Sequence, residues 1–279
     1  YIAMVLSGLT TPVTESSDAA SFGCFDVQNG CFDLSALEKA GIDHNILPPL
    51  SETNLAGMYQ GTIPVYVAIG DNQASFLGST NGNLQSMLIN IGTGSQFSVY
   101  TPNYISCPGL ETRPFPGGGY LLVGAALCGG RAYALWEGFL RQAVQVVTGQ
   151  DPDSCYETLN TLLSQNPKPT DLPKVIPQFQ GTRQDPQLRG SISAMSTENF
   201  TPLHLTWGIL EGMATELYEM YHLYLQAGGS PVQLIGSGNG LRKNDFLQQC
   251  FCQVFGQQVT LSQCAEEAAT GAALFAGMQ

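Results

Sequence analysis

The sequence predicts an α/β fold, and three observations carry that prediction. Apolar runs of strand length alternate with longer helical stripes from Met87 to Met278. Glycine-rich turns stand beside three of the strand-like runs, at Gly70-Asp71-Asn72-Gln73, Gly92-Thr93-Gly94-Ser95 and Gly236-Ser237-Gly238-Asn239-Gly240. The helical stripes carry their own punctuation: Thr201-Pro202 opens one, and Gly149 and Gly228-Gly229 close two. With 43% of its 279 residues hydrophobic, the chain can build a proper core.

The elements follow in order. The opening Tyr1-Ile2-Ala3-Met4 is strand-like and lacks an initiator Met or basic leader, so the chain is expected to begin within a longer protein. Residues up to about Tyr59 hold Ser, Gly and Asp clusters and one short helix signal at 34–41, the tail of a domain. Residues 65–69 read as a buried strand running into Gly70-Asp71, with a helix beginning over 73–77. Residues 87–91 and 96–100 form a hairpin with the Gly-Thr-Gly-Ser turn at its tip, and 120–123 make a third strand. A helix over 132–147 follows Gly129-Gly130, and 165–185, rich in Pro, Gln and Thr, is a long loop. Leu205, Ile209, Met213, Leu217, Met220 and Tyr224 then mark one face of a long helix. The last third reads strand 232–235, glycine turn, helix 245–255, strand 258–261 and helix 267–278. From Met87 the order is β-β-β-α-(α)-β-α-β-α, that of a ribonuclease H-like, or actin-like ATPase, fold. The expected division is residues 1–70 for the end of an N-terminal domain and 71–279 for a C-terminal, nucleotide-binding one.

Charge narrows the partners. Lys+Arg 10 against Asp+Glu 22 gives a net charge of −12, which repels a nucleic-acid backbone. A phosphate ligand must then be small and held by backbone amides, helix N-termini and Mg²⁺, a description that fits ATP. Charged residues are only 11%, against about a quarter in most soluble domains, so some faces are expected to meet something else. No apolar run is long enough to cross a bilayer. The eight cysteines lack C-x-x-C spacing and read as reduced, buried thiols of a cytosolic protein.

Glycines let backbone amides approach an anion where a side chain would block it, so repeated strand-glycine-turn units suit phosphate handling. Asp71 adds a candidate general base; its structural alternative is an N-cap satisfying amides near Gln73 and Ala74. Arg242 and Lys243 read as solvated neighbours of the last turn, Glu266 as an organiser of a helix N-terminus, and His44, His204 and His222 as having no catalytic part.

Together these segments resemble the FGGY carbohydrate kinases. The resemblance spans the chain through Asp18-Ala19-Ala20-Ser21-Phe22-Gly23, Gly70-Asp71-Asn72-Gln73-Ala74, Gly92-Thr93-Gly94, Pro177-Gln178-Phe179-Gln180-Gly181-Thr182-Arg183, Leu210-Glu211-Gly212, the loop from Gly236 to Asn244, and Glu266 leading to Gly271-Ala272-Ala273. Within the family it leans toward members acting on sedoheptulose. It implies two actin-like domains, the first sugar-binding, with sugar and ATP in the cleft between them. It also implies Asp71 as the base, Gly92, Thr93 and Gly94 as the second-domain phosphate turn, Gly130 and Ala134 as nucleotide-lining positions, and Gly236, Gly238, Gly240 and Asn244 as the adenosine turn. The family's opening Asp-Gly-Thr turn, which helps hold Mg²⁺, and most sugar contacts would lie upstream, so no residue of this chain is expected to be a metal ligand. The chain alone is expected to be inactive and to self-associate through its cleft face. A competing reading is a non-catalytic actin-like nucleotide-binding or assembly module, which would not need Asp71. A dinucleotide-dependent oxidoreductase fails, because no G-x-G-x-x-G opens a helix after an early strand.

Overall fold

A computed structural model describes residues 1–278. Its first part is built from small pieces: helices α1 (Ile2–Ser7) and α2 (Ser16–Ala19), a hairpin of β1 (Phe25–Asp26) and β2 (Cys31–Phe32), helix α3 (Leu34–Lys39), and a ribbon of β3 (Leu55–Tyr59) and β4 (Ile63–Tyr66). Then come α4 (Asp71–Thr80), β5 (Ser86–Ile91), β6 (Ser95–Thr101), β7 (Glu111–Pro114), β8 (Tyr120–Ala126), α5 (Gly129–Thr148), α6 (Tyr156–Gln165), β9 (Lys174–Ile176), β10 (Ser191–Ser193) and α7 (Pro202–Gln226). The chain closes with β11 (Gln233–Ser237), α8 (Asn239–Arg242), α9 (Asp245–Phe255), β12 (Thr260–Leu261) and α10 (Glu267–Gly277).

The central sheet has the order β12-β11-β5-β6-β8-β7. β12, β11 and β5 are parallel, and β5, β6, β8 and β7 are antiparallel neighbours. Alternation along each strand serves two faces. Met87, Ile89 and Leu122 pack with α5, α7 and α9, while Leu88, Leu121 and Val123 pack with Phe76 of α4 and Phe275 of α10. This two-layered burial explains why Met87, Leu88 and Ile89 of β5 are apolar without alternation.

The long helix α7 begins as its sequence demands, with Thr201 Oγ1 accepting from the His204 N–H and Pro202 in the first turn. α5 ends at Gly149 in the left-handed region (φ 72°) but starts already at Gly129. Several expectations are overturned. The opening run is helix α1, because a short apolar stretch fits either period, and Gly8 closes it at φ 72°. Residues 65–69 are no buried strand: pairing ends at Tyr66, and β4 joins only β3 in a half-exposed ribbon, since Pro64 brings no ladder N–H. Edge strand β7, with its charged residues and terminal Pro114, and helix α6, which buries only Leu159 and Leu163, gave no clear periodic signal. The long loop contains β9, paired with β10. All eight cysteines are free thiols, but only Cys107, Cys128, Cys155 and Cys250 are buried, and Cys31 is exposed.

Candidate active site

α4 starts at the chain's proposed catalytic carboxylate. Gly70 holds the N-cap position and Asp71 is the first helical residue, with no side-chain cap bond. Asp71 is therefore not the helix cap that the sequence allowed. Its carboxylate is exposed and has no hydrogen-bond or ion-pair partner among the described residues. The backbone around it is held firmly. The Gly70 N–H donates to Ser17 Oγ at 3.0 Å, and the buried Gln73 side chain donates to the Pro114 carbonyl at 2.8 Å.

A cleft of about 750 Å³ opens over this corner, with Ser17, Asp18, Asp71, Asn72, Thr112 and Arg113 in its wall. Asn72 Oδ1 is buried without a hydrogen-bond partner among the described residues. The sequence offered no signal for Asn72 beyond its place next to Asp71. Arg113 reaches Glu111 at 2.6 Å, and Arg183 meets the other Glu111 oxygen at 2.6 Å. Partial burial pushes the Glu111 carboxyl up, but the hydrogen bonds and charges of Arg113 and Arg183 outweigh it and hold the group below its usual range.

The second region is built where β5 turns into β6. Gly92 N–H closes the turn onto the Gly94 carbonyl at 2.9 Å, while Gly130 N–H donates to the Gly92 carbonyl at 2.9 Å and Arg131 N–H to the Thr93 carbonyl at 3.0 Å. The start of α5 comes so close that a Cβ on Gly130 would lie 2.5 Å from the Gly92 carbonyl. These α5 amides are thus committed to the turn. Gly92 and Thr93 are exposed, and the Thr93 hydroxyl has no protein partner among the described residues. On the other side, Asn90 Nδ2 donates to Ser237 Oγ at 2.9 Å and ties this turn to the one after β11. There Gly238 is left-handed (φ 84°), and a side chain on it would fall onto the Ile91 carbonyl.

A pocket of about 350 Å³ lies alongside, lined by Gly130, Tyr133, Tyr156, Gly240, Lys243 and Asn244 among others. The rings of Tyr133 and Tyr156 stand 5.7 Å apart, and burial, then the nearby Tyr156 and Glu137, pushes the Tyr133 phenol up to about 12. Asn244 Oδ1 caps α9 by accepting from the Leu247 N–H at 2.9 Å, which leaves its NH₂ free for a ligand. The structure thus brings Gly130, Gly240 and Asn244 to one pocket. Ala134 is exposed one turn further along α5 and is not in that wall. Gly236 is a buried strand residue whose added Cβ would meet Val259 at 2.8 Å. An added Cβ on Gly240 would meet Ile91 Cγ2 at 2.5 Å, so the position must stay small to pack against Ile91. Arg242 is held by the Cys264 carbonyl at 2.6 Å and Glu267 at 3.1 Å, whereas Lys243 faces the pocket. Glu266 takes the N-cap position of α10 without a capping bond. His204 meets Thr201 at 2.7 Å and Asp171 at 3.3 Å, and His222 meets Gln226 at 2.9 Å.

Comparison with known proteins gives a consistent picture. The model of the C-terminal domain of the FGGY family of carbohydrate kinases matches residues 87–279. Sedoheptulokinase of Mus musculus is 29% identical over 98% of this chain and 60% of its own length, and that of Homo sapiens 27% over the same shares. Glycerol kinase 2 of Sulfolobus acidocaldarius is 27% identical over 100% of this chain and 56% of its own. The chain therefore spans about 60% of the length of these curated relatives. Among solved structures, xylulose kinase from Rhodospirillum rubrum has a TM-score of 0.81 at 21% identity, over 100% of this chain and 57% of that one. Plasmodium falciparum glycerol kinase with ADP has a TM-score of 0.76 at 19% identity, over 99% of this chain and 56% of that one. At those identities the likeness establishes the actin-like ATPase fold, and the family-model match over most of the chain places it by descent: the chain belongs to the FGGY family of carbohydrate kinases.

Proposed function

We propose that this chain carries the base and the nucleotide side of an ATP-dependent kinase that phosphorylates a sugar hydroxyl. One observation carries the reading: the Asp71 carboxylate stands beside a buried acceptor, Asn72 Oδ1, neither with a partner among the described residues, in a cleft large enough for a sugar. A polyol supplies the missing donors. The substrate hydroxyl gives its proton to Asp71 as its oxygen attacks the γ-phosphorus, and the bond to the β-phosphate oxygen breaks to release ADP. Asn72 accepts from a second hydroxyl and fixes which oxygen is in line. Thr93 offers its hydroxyl to the transferring phosphoryl group, while the Tyr133–Tyr156 pocket, with Asn244 and Lys243, suits a flat base and ribose.

The names of the mammalian relatives support sedoheptulose, phosphorylated at its terminal hydroxyl, as the acceptor. No group of three or more His, Cys, Asp or Glu among the described residues is arranged to hold a metal ion, and Mg²⁺ would come in with the ATP phosphates. The chain by itself is expected to bind adenine nucleotide without turning it over. Its cleft face is expected to favour self-association of the chain by itself.

The test is ADP release by the intact protein with ATP and a panel of sugars. Sedoheptulose-dependent release that collapses in Asp71→Asn supports the reading. Nucleotide binding with no sugar-stimulated release would support the non-catalytic module instead.

A further inference from the structure

Asp71 has an unusual problem for a base. Its carboxylate has no partner among the described residues, and it leads a helix that no side chain caps, so backbone must fix where it points. The peptide just before it supplies that hold. The Gly70 N–H donates to Ser17 Oγ at 3.0 Å, across 53 residues of sequence. Ser17 is buried, 5% exposed, and its hydroxyl is oriented from behind: it donates to Glu15 Oε2, which also accepts from the Ser17 N–H at 2.7 Å. Glu15 Oε1 takes the Ser16 hydroxyl at 2.6 Å. With the Ser17 proton committed to a carboxylate, a hydroxyl lone pair is left for Gly70.

From this arrangement we infer that Ser17, oriented by Glu15, is the positioning residue for Asp71. The inference rests on the reading of Asp71 as the base. Ser17 does not touch the proton in flight; it fixes the Gly70–Asp71 peptide and so the direction in which the carboxylate leaves α4. Gln73 braces the same turn from the other side through the Pro114 carbonyl, so loss of Ser17 rotates the start of α4 rather than unfolding it. Displacement of a reacting group by about 1 Å costs on the order of 10²-fold in rate, and partial bracing by Gln73 makes a loss of about 10- to 100-fold the expected range.

The experiment uses the intact protein with ATP and the sugar that it turns over best. Ser17→Ala and Ser17→Cys, the latter similar in shape but a weak acceptor, should each lower kcat by about 10- to 100-fold with KM for ATP unchanged. Ser17→Thr, which keeps the oxygen, should recover most of the rate. In an Asp71→Asn background, Ser17→Ala should cost nothing further, because a positioning residue has nothing left to position. A folded Ser17→Cys with kcat within about two-fold of the parent overturns the inference, as does a Ser17→Ala loss that persists undiminished on top of Asp71→Asn. If Ser17→Ala does not fold, Ser17→Cys and Ser17→Thr together decide the question. Should Asp71→Asn itself retain full activity, the reading of Asp71 as the base fails, and with it this role for Ser17. Loss in Asp71→Asn with no loss in Ser17→Cys rejects the Ser17 role alone.

Discussion

Gly78 and Gly271 meet back to back where α4 crosses α10. A Cβ on Gly78 would fall onto the Glu267 carbonyl and lie 2.9 Å from the Gly271 nitrogen, while one on Gly271 would fall onto the Ala74 carbonyl and lie 2.9 Å from the Gly78 nitrogen. Two helix backbones are in direct contact, with Cys264 Sγ 3.3 Å from the Gly78 carbonyl beside them. The contact fixes the helix whose first residue is Asp71.

The obstacles at this crossing are backbone atoms, which cannot swing aside. Gly78→Ala and Gly271→Ala should therefore each cost at least about 3 kcal/mol, the upper end of overpacking effects. Urea unfolding at constant m-value checks this. A folded variant should also show reduced kcat, because separating α4 from α10 moves Asp71. A loss below about 1 kcal/mol would mean that the helices separate easily.

Asp71 makes the opposite prediction. It is exposed and its side chain has no partner among the described residues, so Asp71→Asn should leave thermal stability within about 0.5 kcal/mol of the parent. Removing a positioned base should lower kcat by about 10²–10⁴-fold. Rate and melting temperature measured on one preparation separate the two effects; unchanged kcat removes Asp71 from the chemistry.

Much of the site's frame was legible in the sequence, for reasons these residues make plain. The hairpin around Gly92–Gly94, the cap at Thr201-Pro202 and the helix stripe from Leu205 to Tyr224 are local patterns, and the structure keeps each of them. What was hidden is non-local. Gly271 was visible as part of a motif, but its partner Gly78 lies far away in the chain, and nothing in the helix of Gly78 announces a crossing. Ser17 and Gly70 are joined by one hydrogen bond across 53 residues. Residues 65–69 misled because a strand in a two-stranded ribbon and a strand in a central sheet share one composition, and only the missing ladder partners tell them apart.

Gly240 lines the same pocket as Asn244 and packs closely against Ile91. Its missing side chain makes room for Ile91, 2.5 Å from where a Cβ would stand, so Gly240→Val should first appear as lost stability, about 1–3 kcal/mol. Ligand binding falls with it only as the turn distorts. Tyr156 should behave in reverse. At 39% exposure it contributes little to the core, yet it forms one wall of the pocket that Asn244 also lines. Tyr156→Ala should weaken ATP binding about tenfold, in line with about 1–3 kcal/mol for stacking on a base, and leave the melting temperature nearly unchanged. Calorimetric titration beside a thermal melt distinguishes the pair. Equal ATP affinity in Tyr156→Ala would place the base elsewhere.

Glu216 provides a prediction in pH. It lies on α7, 9% exposed; burial pushes its carboxyl above the ordinary 4.5, a hydrogen bond from Gln178 pulls the other way, and the Glu219 charge adds to the rise. The sign follows from linkage. A carboxyl whose folded-state value exceeds its unfolded one binds its proton more tightly when folded, so at pH above the folded value its charge opposes folding in full. As pH falls through the folded value toward 4.5 that penalty disappears. Gln in its place can still accept from Gln178 but carries no charge. Glu216→Gln should therefore melt at a higher temperature than the parent at about pH 7.5, and the difference should hold until pH falls to the folded value and then shrink, vanishing at about pH 4. Taking the difference between variant and parent at each pH cancels the titration of the other carboxylates. A variant less stable than the parent at neutral pH would show that the Gln178 bond to the charged form outweighs the burial of Glu216, and a gain independent of pH would show that packing, not charge, separates the two side chains.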